Sequence, residues 1–325
     1  MQQTNSHPFE ALSPDQILTA TEQQGFTTDG RITALNSYEN RVYQIGIDGA
    51  SPLVAKFYRP NRWNREQIQE EHDFLFDLQA HDIPVVVPIK NETGESLFEQ
   101  QNFLFALFPR TGGYAPELDH EDNLAIMGRT LARLHLIGEQ QLFQSRPALD
   151  AQTFGQDSID FVANQFIPFE QKSAYLSISN DIMAVVKEQL AGASPIRVHG
   201  DLHVGNILMR EDIPNLVDFD DARNAPAIQD IWMLLSGTTD EQRRQIAQIS
   251  EAYNAFRTFP IQQLKMIEAL RTLRLIHHTA WLARRWDDPA FPPAFGWFDT
   301  PAFWTQHLAD LSAQLDALQQ PAMTI

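Results

Sequence analysis

The 325-residue sequence contains no cysteine. Disulfide scaffolds, thiolate metal sites and cysteine nucleophiles are thereby excluded together, and the absence fits a reducing compartment. Cations are scarce as well: 24 Lys and Arg stand against 42 Asp and Glu, a formal net charge of −18. That excess argues against non-specific binding to DNA or RNA and against docking on an anionic membrane. No apolar run approaches the ~18 residues that a membrane helix needs. The first ten residues have neither the basic start nor the apolar stretch of a signal peptide. No internal repeat or low-complexity tract is present. What the chain does have is core material, with 43% hydrophobic and 10% aromatic residues, which rules out wholesale disorder. The expectation is an acidic, soluble, cytoplasmic protein whose length suggests about two domains.

Along the chain, residues 1–30 read as a polar N-terminal extension with one short helix near Pro14–Gln24, capped by Ser13. Residues 31–109 change to β-type runs. Arg41–Ile45 and Leu53–Tyr58 predict strands around a turn cluster at Asp48–Pro52, and Val85–Ile89 and Phe103–Phe108 predict two more. Between them Ile68, Phe74, Leu75 and Leu78 recur at helical spacing over Gln67–Ala80. Residues 110–325 are mainly helical. Leu124, Met127, Leu131 and Leu134 form one stripe, and further helical patterns occupy roughly 180–191, 241–257 and 262–286. A β-type interruption runs from Ile207 to Met209, turns at Glu211–Pro214 and returns through Leu216-Val217. The Pro- and aromatic-rich stretch 287–304 reads as an irregular segment packed on the helices.

The stretch that carries chemistry is Val198-His199-Gly200-Asp201-Leu202-His203-Val204-Gly205-Asn206, followed by Leu216-Val217-Asp218-Phe219-Asp220. A short hairpin between them returns Asp218 beside Asn206. Two hard oxygen donors on adjacent strand ends suit Mg²⁺, whose other positions go to water and phosphate. Asp201, five residues before Asn206, is then placed to orient a hydroxyl nucleophile. Phosphoryl transfer needs that division of labour, because its catalysis is mostly positioning and charge neutralisation. A zinc or iron site from His199, Asp201 and His203 is the competing reading; it leaves Asn206 and Asp218 without a purpose.

The protein-kinase catalytic loop has the same Asp-x-x-x-x-Asn spacing followed by a metal Asp. Here Gly200 replaces the Arg before the Asp, which resembles the branch of aminoglycoside and choline phosphotransferases. The N-terminal part supplies matching nucleotide elements. Lys56, in Val54-Ala55-Lys56, resembles the kinase strand lysine that binds the α- and β-phosphates of ATP. Fifteen residues on, Glu71 lies on the predicted helix in a position to pair with it; Glu70 is the competitor, about 100° round the helix. The phosphate loop would be Leu35–Val42, which contains no glycine, with Ser37 and the following amides as its phosphate donors. Phe105–Pro109 would be the hinge against adenine. Asp230, in Gln229-Asp230-Ile231-Trp232, resembles the kinase Asp that braces the catalytic loop, its alternative being a carboxylate at its own helix N-terminus. His135 reads as a packing histidine, and the Arg271/Arg274 and Arg284/Arg285 pairs as solvated helix faces.

Longer blocks narrow the resemblance. Leu35-Asn36-Ser37-Tyr38-Glu39-Asn40-Arg41-Val42-Tyr43-Gln44, Lys56-Phe57-Tyr58-Arg59-Pro60, Asp218 through Asn224, Gln229 through Leu235 and Ala280 through Trp286 together resemble the bacterial stress response kinase A family, over roughly residues 8–320. That resemblance implies an α+β, two-lobed protein-kinase-like (aminoglycoside phosphotransferase-like) fold, with a small β-rich N-lobe and a large helical C-lobe. It implies a cytoplasmic, monomeric serine/threonine protein kinase with ATP as co-substrate and Mg²⁺ as cofactor. By position, Asp201 would be the proton acceptor, Asn206 and Asp218 the Mg²⁺ ligands, and Ser37 part of the ATP site. The open alternative is a small-molecule kinase for an amino alcohol or aminoglycoside-like substrate, since Asp220 and Asp221 would favour a cation. Residues 219–229 contain no Ser, Thr or Tyr, so a conventional activation-loop phosphorylation switch has no acceptor there.

Overall fold

A computed structural model describes residues 8–325; the first seven residues, on which part of the N-terminal expectation rests, lie outside the described residues. The chain divides into two compact units. The first runs to Pro116 and also takes in Gly205–Asp220; the second comprises Glu117–Val204 and Asp221–Ile325.

In the first unit, α1 (Pro14–Glu22) starts where Ser13 and Gln16 form a reciprocal capping box. Five strands follow: β1 (Thr28–Leu35), β2 (Arg41–Ile47), β3 (Leu53–Phe57), β4 (Phe98–Gln100) and β5 (Phe103–Pro109). They form one antiparallel sheet in the order β1-β2-β3-β5-β4. Side chains alternate across a strand, so Ala55 and Phe57 enter the core with Ile45, Phe105 and Leu107, while Lys56 faces the other way. Phe57 and Phe105 stack with ring centroids 5.1 Å apart. Helix α2 (Arg65–Ala80) opens on a second capping box, Asn64 with Gln67.

One sequence expectation fails here for a physical reason. Val85–Ile89 is not a ladder strand; it makes a single parallel bridge, Val85 to Leu216, and Ile89 donates to Leu107. Pro84 and Pro88 remove the amides a ladder would use. The outer strand is instead the three-residue β4, and the sheet's other edge, β1, begins at Thr28. Both edges lack a strong apolar alternation: β1 is largely exposed along its length.

The second unit is built from α3 (Glu121–Gly138), α4 (Asp157–Gln165), α5 (Phe169–Leu190), α6 (Ile228–Trp232), α7 (Thr239–Tyr253), α8 (Ile267–Arg284), α9 (Phe291–Ala294) and α10 (Pro301–Leu318), with β6 (Ile196–Val198) paired to β9 (Arg223–Ala225). The predicted stripe Leu124, Met127, Leu131 and Leu134 is buried. Helix α5 starts at Phe169, well before residue 180; polar residues interspersed through 170–181 mask its apolar side in the sequence. In the aromatic stretch, Phe291, Phe298 and Trp304 are buried. Among the described residues no helix is long and apolar enough to cross a membrane.

The hairpin β7 (Ile207–Arg210) and β8 (Ile213–Leu216) belongs to the first unit. Its two-residue loop, Glu211-Asp212, has φ of +52° and +60°. Positive φ at both positions is the turn whose twist matches an antiparallel pair.

Candidate active site

Within the first unit the two ends of this hairpin meet. Ile207 pairs with Leu216, and the Val217 N–H donates to the Asn206 carbonyl at 3.0 Å. Asp218, the next residue, has φ +60°, a left-handed conformation that Asp tolerates better than most residues. Its side chain is 55% exposed, whereas Asn206 is buried. Phe219 is buried with its ring edge against Phe74 of α2, 6.0 Å between centroids. That contact anchors the loop just beyond Asp218.

Lys56 sits opposite. Its Nζ lies 3.1 Å from Asp218 Oδ1, 3.2 Å from Asp220 Oδ1 and 3.6 Å from Glu71 Oε1. Glu71 rather than Glu70 falls on the apolar stripe of α2, between Ile68 and Leu75, and is buried there. A carboxylate in a core stripe needs a counter-charge, and Lys56 supplies it. Burial alone would push the Lys56 ammonium down; Asp220, Glu71 and Asp218 outweigh it and hold it well above the ordinary lysine value. The ammonium also lies 5.0 Å from the Tyr58 ring centroid. Tyr58 in turn bonds His72, which bonds Ser96, each at 2.9 Å.

A cavity of about 350 Å³ opens over these groups. Val42, Val54, Leu75 and Leu208 give it apolar walls, and Ser37, Lys56, Glu71, Asn206 and Asp218 its polar ones. Phe108 and Pro109, at the end of β5, line it as well. An apolar slot with a few convergent polar groups is the usual form of a small-molecule site.

The second unit holds Asp201. Its backbone N–H donates to His199 Nδ1 at 3.3 Å, so that ring nitrogen serves the loop itself. Its carboxylate contacts the Arg274 guanidinium and lies 3.6 Å from His203 Nε2. Asp230 is fully buried, and its two oxygens accept the N–H groups of Gly200 and His199, both at 2.8 Å. Asp230 thus bonds two amides of the loop and at the same time lies in the first turn of α6. His135 Nε2 is 3.3 Å from the same carboxylate and its Nδ1 2.9 Å from the Tyr253 hydroxyl. Gln229 donates to the Gly200 carbonyl at 2.9 Å.

Gly200 has φ +86°, and a Cβ there would stand 2.2 Å from the Asp221 carbonyl oxygen. Conformation and space both demand glycine. Gly200→Ala should therefore destabilise the fold by about 2–3 kcal/mol, seen as a lowered thermal midpoint; an unchanged midpoint would mean the loop relaxes freely.

Comparison with known proteins bears on this geometry. The phosphotransferase enzyme family (APH) matches residues 31–264. Stress response kinase A of Escherichia coli O157:H7 is 42% identical over 319 residues, covering 98% of this chain and 97% of its own. The chain belongs to the stress response kinase A family. Serine/threonine protein kinase RdoA of Salmonella typhimurium is 40% identical over 323 residues, 99% of this chain and 98% of its own. In fold, the chain is similar to amicoumacin kinase hAmiN, solved with AMP-PNP, Ca²⁺ and Ami, at a TM-score of 0.73 and 19% identity over 95% of each chain. This stress response kinase A family member is thus a phosphotransferase with the expected α+β, aminoglycoside phosphotransferase-like fold.

Several residues at this family member's two centres escaped sequence reasoning. Arg274 is not merely a solvated face, since it reaches Asp201. Arg271 pairs with Glu268 and also donates to Gln242 at 2.7 Å. Arg223 holds Asp221 at 2.6 Å and lies over the Phe154 ring. His277 stacks on Phe154 at 4.0 Å; loss of solvent pushes its imidazole down to about 3, and the charge of Arg223 adds to that. Asp220 is buried between Lys56 and Arg62. Charge type alone announces none of these partnerships. Among the described residues no group of three or more His, Cys, Asp or Glu is arranged to hold a metal ion.

Proposed function

We propose that this chain is an ATP- and Mg²⁺-dependent serine/threonine protein kinase of the stress response type. The observation that carries the reading is Lys56, buried at the cavity wall and shared between Glu71 of α2 and Asp218 of the hairpin loop. A kinase needs that lysine on the nucleotide phosphates, with a helix glutamate to orient it. The first unit would bind nucleotide: adenine along Phe105–Pro109, phosphates on Lys56 and on Ser37 with the amides after it. Asn206 and Asp218 would hold Mg²⁺; both offer hard oxygens, and the exposed side of Asp218 leaves room for water and phosphate. Bound there, Mg²⁺ would neutralise charge on the transferring phosphoryl group.

The second unit would supply Asp201 as proton acceptor for the attacking hydroxyl, an assignment that rests on its spacing from Asn206. Asp230 would hold the loop in place through the amides of His199 and Gly200. The names of the relatives, one of them a serine/threonine protein kinase, support a protein hydroxyl as acceptor. A cationic small alcohol was attractive on charge, because Asp220 and Asp221 adjoin the metal loop. Both carboxylates are spoken for, Asp220 by Lys56 and Arg62 and Asp221 by Arg223, so that argument loses its footing.

The test is incubation with γ-labelled ATP, Mg²⁺ and a generic basic protein, beside Asp201→Asn. Label in protein from the unchanged chain alone is expected. Saturable labelling of small alcohols, with none in protein, would overturn the protein-kinase reading.

A further inference from the structure

The phosphate loop between β1 and β2 has no glycine, so residues 36–40 need support from outside the loop. The chain provides it a few residues after Lys56. It leaves β3 through Tyr58 and turns at Arg59-Pro60-Asn61-Arg62, where the Arg62 N–H donates to the Arg59 carbonyl at 3.3 Å. Pro60 presets its own φ and Asn61 adopts φ +66°, the pairing that a type II turn favours. The turn sends both guanidinium groups back to the loop. The Arg59 N–H donates to Asn40 Oδ1 at 3.0 Å. Its Nε lies 3.0 Å from the Glu39 carbonyl and 3.2 Å from the Glu39 carboxylate.

Arg62 does something different, because it has acids from two places. On one side it lies 3.7 Å from Glu39 Oε2; on the other it contacts Asp220. Asp220 also reaches Lys56, which reaches Asp218. The side chains of Arg62, Glu39 and Asp220 are only 13%, 12% and 5% exposed, so solvent screens them weakly. A continuous run of charge therefore joins Glu39 on the phosphate loop to Asp218 on the other loop, through Arg62, Asp220 and Lys56. Charge networks are among the contacts through which one site can bias another.

We propose that Arg62 is a positioning residue that couples the phosphate loop to the Asp218 loop, so that nucleotide triphosphate and divalent cation bind cooperatively. The proposal rests on reading the cavity as the ATP and Mg²⁺ site. Arg62 touches neither ligand; it sets the geometry of the groups that do. Its planar guanidinium presents donors in a fixed fork that can face carboxylates on two sides, whereas a lysine offers one point charge on a flexible stem.

Direct ATP-binding titrations, with and without Mg²⁺, on the unchanged chain, Arg62→Met and Arg62→Lys decide the matter. In Arg62→Met the ATP affinity in Mg²⁺ should fall at least about tenfold, and most of the factor by which Mg²⁺ tightens ATP should vanish. Arg62→Lys should restore part of that factor. KM for ATP should rise more than kcat falls. If Arg62→Met fails to fold, Glu39→Gln removes the loop carboxylate from Arg62, and from Arg59, whose backbone bonds to the loop remain, while Asp220 keeps both partners; it should show the same loss of the Mg²⁺ factor. An unchanged chain that binds no ATP overturns the reading of the cavity itself. An unchanged chain that binds, with variants keeping the full Mg²⁺ factor, overturns the coupling alone.

Discussion

Asp201→Asn should leave ATP binding close to that of the unchanged chain while turnover falls by roughly 10²–10⁴, or about 3–5 kcal/mol of barrier. The amide keeps the size and planarity of the side chain, and the bond from the residue's own N–H to His199 Nδ1 is untouched. What disappears is the carboxylate charge, which would accept the proton in the proposed mechanism and which also pairs with Arg274. The Asp230 bonds to Gly200 and His199 do not involve the Asp201 side chain, so loop and fold should persist. Single-turnover transfer measured beside ATP affinity separates the two effects. Turnover equal to that of the unchanged chain would remove Asp201 from the mechanism. A matched loss of affinity and turnover would make it a binding residue instead.

Asp218→Ala should abolish most of the Mg²⁺ dependence of nucleotide binding and take activity down by at least roughly 10², consistent with the loss of charge stabilisation on a transferring phosphoryl group. Lys56 would retain Glu71 and Asp220, so its burial stays compensated and the fold should hold. Alanine at φ +60° adds a backbone penalty of about 1–2 kcal/mol. Asp218→Asn controls for it, since asparagine tolerates that conformation. Both variants should lose the Mg²⁺ effect in calorimetric titration with ATP. If Asn keeps it and Ala loses it, an oxygen donor or the backbone shape, and not the charge, is what the position supplies.

Local features made much of this architecture legible. The hairpin Ile207–Leu216 could be read because two β runs flank a tight polar turn, and that hairpin delivers Asp218 beside Asn206. Helical periodicity favours Glu71 over Glu70 by placing it in the apolar stripe, and the choice closes only with Lys56 Nζ 3.6 Å from Glu71 Oε1. The failures have a common physical root. Edge strands β1 and β4 carry little apolar signal, and Val85–Ile89 looks like a strand until its prolines are charged with removing amides. The long-range guanidinium contacts were out of reach. Arg274 lies 73 residues from Asp201, and Arg62 158 residues from Asp220. An arginine on a surface and one aimed at a carboxylate have the same local sequence signature, so only the tertiary fold tells them apart.

Arg223–Ala225 is fully buried and laddered to Ile196–Val198. Asn224 is tied to the Phe143 backbone twice, accepting its N–H at 3.0 Å and donating to its carbonyl at 2.9 Å. This stretch is interior structure, with no hydroxyl to modify and no slack to fold outward. A kinase and phosphatase acting in opposition therefore find nothing to work on at this point of the chain.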